Sequence, residues 1–145
     1  MATNPPPQPG PDAFHRERSK CLDGFAATEQ AVIALLTRSG AKITNGPFGQ
    51  KVQSIKKLEA MPGLSKTACA SAAVLAGEIE TILEVRNDLV HARLQIAIIG
   101  TDQRACFINA RQCASGAQLA RLFSLEALRE VTRKANQIAE KLSAL

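Results

Sequence analysis

Tryptophan and tyrosine are absent from the 145 residues, and phenylalanine occurs only five times. An array of aromatic platforms for stacking the bases of a single strand is therefore excluded as the main binding device. The core has to be built from Leu, Ile, Val and Ala. Histidine occurs twice, and the four cysteines, Cys21, Cys69, Cys106 and Cys113, contain no Cys-x-x-Cys pair. No zinc-site spacing can be read from this set, and neither a metal nor a cofactor is expected. The cysteines are expected to be reduced, partly buried thiols of a cytoplasmic protein. No stretch is apolar over the length that crosses a membrane, and the first residues lack the apolar run of a secretion signal. A membrane partner is not expected.

Apolar residues make up 46% of the chain, enough for one core in one domain. Eighteen basic residues outnumber thirteen acidic ones, for a net charge of +5. That balance is compatible with a polyanion such as RNA and equally with simple solubility. The run Asn4-Pro5-Pro6-Pro7-Gln8-Pro9-Gly10-Pro11 removes backbone donors and forbids helix, so residues 1–11 read as a disordered, proline-rich tail. Residues 12–145 read as the folded domain.

Within that domain, Asp12 suits a helix N-cap, and a first helix is expected from there to about Arg38, before Gly40. Leu22, Phe25, Ala26, Val32, Ile33 and Leu36 recur at helical spacing, with Glu29 inside the same stripe, where an acid needs a partner. After a turn at Thr44-Asn45-Gly46-Pro47, a shorter helix is marked by Phe48, Val52, Ile55 and Leu58 and carries Lys51, Lys56 and Lys57. Those lysines are candidate RNA-phosphate contacts, or an ordinary solvated face. Ser65 caps a long third helix to about Val90, with Leu75, Ile79, Ile82 and Leu89 on its apolar row and Arg86 breaking that row.

Beyond His91 the pattern changes to β-branched runs, Leu94–Ile99 and Ala105–Ile108, separated by the turn Gly100–Gln103; this reads as a β-hairpin spanning about 94–108. Gly116 to Phe123 reads as a helical turn or short helix. Ser124 and Glu126 open a last helix striped by Leu128, Val131, Ala135, Ile138, Leu142 and Leu145. The expected architecture is mostly α: an antiparallel bundle of four main helices, with the hairpin inserted before the last.

The residue types that carry chemistry converge on Arg86-Asn87-Asp88-Leu89-Val90-His91. On a helix, Asn87 and His91 share a face, while Arg86 and His91 stand about 140° apart. Arg86 could grip a phosphate through paired hydrogen bonds, and His91 could move a proton near neutral pH. Asn87 could orient either of them, and the ribose 2′-hydroxyl would supply the nucleophile. Two structural readings compete: His91 as a cation capping the helix end, and Arg86 paired with Glu29. Glu80, Glu84 and Asp88, one turn apart, could hold a divalent ion but read better as a solvated acidic face.

Arg86-Asn87-x-x-x-His91 resembles the Arg-x(4–6)-His signature of the HEPN superfamily, including the polar residue after the arginine. The resemblance implies a small helical domain that forms a two-fold homodimer, with Arg and His of both protomers lining one cleft. It implies a metal-independent endoribonuclease, in many members a toxin or phage-defence effector working beside an antitoxin or nucleotidyltransferase partner. Other members are catalytically silent modules that bind RNA, a nucleotide or a protein.

Overall fold

The structure is a computed structural model that describes residues 3–4, 7–43, 45–108 and 120–145. Cys113, Thr44 and the first part of the segment read as a helical turn from Gly116 lie outside the described residues. The elements are α1 (Pro11–Arg38), α2 (Phe48–Lys56), α3 (Lys66–His91), β1 (Arg93–Ile99), β2 (Asp102–Ile108), β3 (Ala120–Phe123) and α4 (Leu125–Ser143). The chain is mostly helical, with a small antiparallel sheet.

The helix ends follow local chemistry. Ser65 and Ser124 each accept a hydrogen bond from a backbone N–H in the first turn, Ala68 and Ala127 respectively, both at 3.0 Å. α1 departs from expectation: Gly10 occupies the N-cap and Pro11 the first turn, so Asp12 lies inside the helix as a first-turn acid. Proline is at home there, because its missing N–H would have had no intrahelical acceptor.

The stripe of α1 also differs from the one expected. Phe14, Glu17, Cys21, Gly24, Phe25, Thr28, Val32 and Leu35 are among its buried residues, while Ala26 is exposed and Ile33 only partly covered. Two polar residues sit in this seam because α4 partners both. The Thr28 hydroxyl lies 2.9 Å from the Gly24 carbonyl and 2.8 Å from the Ala135 carbonyl. The Thr132 hydroxyl donates to Glu17 Oε1 at 2.9 Å. Gly24 permits the close approach, since a Cβ there would stand 3.3 Å from the Ala135 Cβ and 3.1 Å from Asn136 Oδ1.

These pairings ascend together, Glu17 with Thr132 and Thr28 with Ala135, so α1 and α4 run in the same direction. α3 runs opposite to α4, with Lys134 donating to Thr81 and Arg121 just ahead of α4 reaching Glu84. The uniformly antiparallel arrangement expected from sequence does not hold. The reason is the connection from Ser39 to Pro47: nine residues reach up to ~30 Å, enough to return the chain two turns down α1 before α2 begins.

The hairpin expected at 94–108 is present; β1 starts one residue earlier than expected, at Arg93, and β2 three residues earlier, at Asp102, within the segment read as the turn. Its loop is Gly100-Thr101, and Gly100 takes a φ of 64° that glycine adopts without strain. β3 makes the sheet three-stranded in the order β1-β2-β3, and corrects the helical turn expected up to Phe123. Ala105 pairs with Phe123 and Phe107 with Arg121. Phe107 and Phe123 meet edge to face with centroids 6.0 Å apart, an aromatic contact that anchors β3 on β2.

Candidate functional site

α3 passes into β1 through the single residue Ala92, whose N–H donates to the Asp88 carbonyl at 2.8 Å. The last carbonyls of such a helix need donors. Arg18 of α1 supplies them: its Nε and one terminal nitrogen reach the Leu89 carbonyl at 3.0 and 2.6 Å, and the same terminal nitrogen reaches the Ala92 carbonyl at 3.1 Å. The capping role considered for His91 therefore belongs to Arg18. His91 is the last residue of α3 and is exposed. Among the described residues its side chain makes no hydrogen bond or ion pair.

Arg86 lies one and a half turns earlier and faces α1 and α2. One terminal nitrogen stands 3.7 Å from Glu29 Oε2, and the other donates to Asn87 Oδ1 over a long 3.5 Å. Its guanidinium lies over the Phe48 ring at 5.7 Å, a cation–π contact. Glu29 is shared, because Lys51 Nζ donates to its other oxygen at 3.2 Å and to the Gly46 carbonyl at 2.9 Å. Two cations thus meet one carboxylate, and the cluster keeps a surplus positive charge. Its members are partly open to water, with side-chain exposures of 26% for Arg86, 28% for Glu29 and 12% for Lys51.

The structure thus brings Arg86, Asn87, Glu29 and Lys51 together, with His91 at the helix end beyond them. It does not add the other two lysines to this group. Lys56 donates to Glu80 at 2.5 Å, and Lys57 is exposed at the C-cap of α2. The hydrogen bond from Lys56 holds the Glu80 carboxyl below its ordinary range. Arg121 binds the other two acids of that row, Glu84 at 2.6 Å and Asp88 at 2.5 Å. Asp88 is only 1% exposed and so turns inward, away from any solvated acidic face. All three acids are engaged by protein cations. Among the described residues, no group of three or more His, Cys, Asp or Glu is placed to hold a metal ion.

Comparison with models of protein families, with curated proteins and with solved structures finds no match to this chain.

Three arginines define the region, and they are held differently. Arg18 donates to carbonyls at 2.6 to 3.1 Å, and Arg121 donates to Glu84 at 2.6 Å and makes an ion-pair contact with Asp88 at 2.5 Å. Arg86 has contacts of 3.5 and 3.7 Å, so its donors are not committed to a fixed acceptor. Sequence reasoning missed Arg18, although it carries the signal that exposed Arg86: a cation on an apolar row, here Phe14, Arg18, Leu22, Phe25. It missed Arg121 because the segment before α4 was read as a helical turn. A shallow pocket of about 550 Å³, lined by Ala70, Val74, Leu75, Lys141 and Leu145 among others, lies over the first half of α3, well away from Arg86.

Proposed function

We propose that this chain is a metal-independent endoribonuclease of HEPN type that acts as a homodimer on RNA. The observation that carries the reading is the loosely held, partly exposed guanidinium of Arg86 in a cluster where two cations share one carboxylate. A phosphate can take up the donors that Glu29 and Asn87 leave unused, and paired hydrogen bonds from a guanidinium suit it. His91 supplies an exposed imidazole at the same helix end.

In the proposed reaction an imidazole accepts the proton of a ribose 2′-hydroxyl, and the 2′-oxygen attacks the adjacent phosphorus. The bond to the 5′-oxygen breaks, and that oxygen leaves with a proton from an imidazolium. The products are a 2′,3′-cyclic phosphate and a 5′-hydroxyl. Arg86 holds the phosphate as negative charge grows on it, and Asn87 orients the guanidinium. Two copies of His91 across a two-fold cleft would divide the roles of base and acid. The resemblance further points to a toxin or phage-defence role with an antitoxin or nucleotidyltransferase partner.

The test is incubation of purified protein with mixed RNAs in excess chelator. Cleavage that leaves cyclic phosphate ends, and that is lost in His91→Ala and Arg86→Ala, supports the reading. RNA left intact with and without chelator refutes it. A second reading, a non-degrading binding module, is favoured by one observation: Arg86 already has Glu29 and Phe48 as partners within its own chain. It expects His91→Ala to leave RNA binding and the absence of cleavage unchanged.

A further inference from the structure

β1 is an edge strand: among the described strands only β2 pairs with it, along its whole length in one-to-one register from Arg93↔Ile108 to Ile99↔Asp102. Among the described residues, no strand pairs with the backbone donors and acceptors of its other edge. Natural edges are usually blunted by proline, lysine, bulges or shortness. β1 has seven residues, Arg-Leu-Gln-Ile-Ala-Ile-Ile, with no proline, no lysine, no bulge against β2, and one charge at its first position. The opposite edge, β3, has four residues. Ile98 and Ile99, at the far end of β1, are among the most exposed large apolar residues, at 72% and 53%. Such an edge is a template for another strand.

The pattern also says which strand fits. Laid antiparallel on a second copy about Ile96, β1 pairs Leu94 with Ile98 and Ile96 with itself on the face that carries Leu94 and Phe107 toward the core. On the outer face it pairs Gln95 with Ala97 and Arg93 with Ile99. Exposed Ile98 then lies beside buried Leu94 of the other copy and extends its apolar face. Arg93 comes into the cross-strand row of Ile99 and Asp102 of the other copy, about 10 Å from the latter at the backbone, within reach of an arginine side chain. A parallel pairing would instead stack Arg93 on Arg93, which like charges oppose. Charge, apolar pattern and free backbone therefore agree on one occupant.

We propose that β1 is the pairing edge of a homodimer, in which two copies of Arg93–Ile99 run antiparallel about a two-fold axis through Ile96 and join two three-stranded sheets into one of six strands. This contact does not rest on the ribonuclease reading. It sets the two copies of His91 at opposite ends of the paired strands, so it is a different surface from one that would make those histidines face each other. A pairing of seven residues a side is small for an interface, so the dimer is concentration-dependent.

Sedimentation velocity on the full chain measures the state, and nitroxide labels measure the register. Labels are placed at Gln95→Cys and Ile99→Cys, one per sample, in a background with Cys106→Ser and Cys113→Ser. The proposed pairing gives a short label-to-label separation at position 95 and a backbone separation of about 20 Å at position 99, at 3.4 Å rise per residue. Ile98→Lys, at a residue exposed enough to leave folding intact, weakens the dimer at least tenfold. A monomer up to millimolar concentration overturns the proposal. So does a dimer that survives Ile98→Lys, or label distances that are equal at 95 and 99.

Discussion

Glu29→Gln separates a phosphate-binding Arg86 from a merely structural one. In the wild-type chain Arg86 and Lys51 both lean on the Glu29 carboxylate, at 3.7 and 3.2 Å. A unit-charge pair at about 4 Å and an effective dielectric of 20 has a Coulomb energy of ~4 kcal/mol. Both Arg86 and Glu29 are about a quarter exposed, so solvent screening and side-chain entropy reduce the net value to ~1 kcal/mol. Neutralising Glu29 therefore costs about 1 kcal/mol of folding stability, a fall in Tm of roughly 4 °C for a chain of this size. The same change removes the group that competes with phosphate for the guanidinium. RNA affinity at low salt then rises about fivefold, the equivalent of ~1 kcal/mol, and the salt dependence of binding steepens as Arg86 engages a phosphate. The assays are a thermal melt and fluorescence anisotropy with a labelled single-stranded RNA at two salt concentrations. A variant that loses Tm and also loses RNA affinity would show that Glu29 holds Arg86 for structure alone, and the argument from loose contacts would be wrong.

Three further outcomes follow from the packing around α3. Arg18→Met removes the donors that satisfy the Leu89 and Ala92 carbonyls; a charge-assisted set of this kind is worth ~2 kcal/mol, so Tm falls by roughly 7 °C, and on the proposed ribonuclease reading any cleavage falls with it because His91 loses its fixed helix end. Arg121→Met takes a cation from Asp88, which is buried and keeps further contacts, so urea unfolding should show a loss of ~2 kcal/mol in unfolding free energy, less than for a carboxylate left alone. Cys21 is fully buried and desolvation pushes its thiol from 9.0 up to about 11. A raised acid favours the protonated folded state, so its contribution is complete below pH 9 and is lost as pH rises through 11, to a full extent of ~3 kcal/mol. Urea titrations at pH 8 and pH 11 should therefore show a smaller alkaline loss in Cys21→Ala than in wild type, and equal losses would contradict this.

Much of the fold could be read from single residues. Ser65 and Ser124 marked the starts of α3 and α4, and the switch to β-branched residues after His91 marked the hairpin. β3 could not be read, because Ala-Arg-Leu-Phe is too short to display a period of two and owes its place to Phe107 on the neighbouring strand. The true seam of α1 was hidden for a different reason. It contains Glu17, Gly24 and Thr28, which look like surface or breaker residues until Ala135 and Thr132 of α4 are known to face them. Helix direction depends on where the Ser39–Pro47 connection leads, and hydropathy carries no information on that. In the candidate site, the charges that broke apolar rows were the informative ones: Glu29 and Arg86 lie together, and Arg18, overlooked on the same criterion, holds the helix end. Lys51 was read as an RNA-phosphate contact or part of a solvated face, and its pairing with Glu29 was not seen because that partner is 22 residues away in sequence.

The surroundings of His91 suit a proton-transferring side chain at this helix end. Such a group needs a backbone that does not move and an imidazole that can meet substrate. The backbone condition is met on three sides of His91. Arg18 ties down the carbonyls of Leu89 and Ala92, Arg121 anchors Asp88 from β3, and only Ala92 separates the helix from a strand paired along its full length. The imidazole itself is left exposed. Had His91 been the helix cap, its ring would have been spent on the carbonyls and the two conditions would have excluded each other. Arg18, reaching across from α1, removes that conflict. If the chain cleaves RNA as proposed, replacing Arg18 should therefore lower cleavage more than the fall in Tm alone explains, whereas a charge-neutral change at an exposed position of α3 such as Val74→Thr should not.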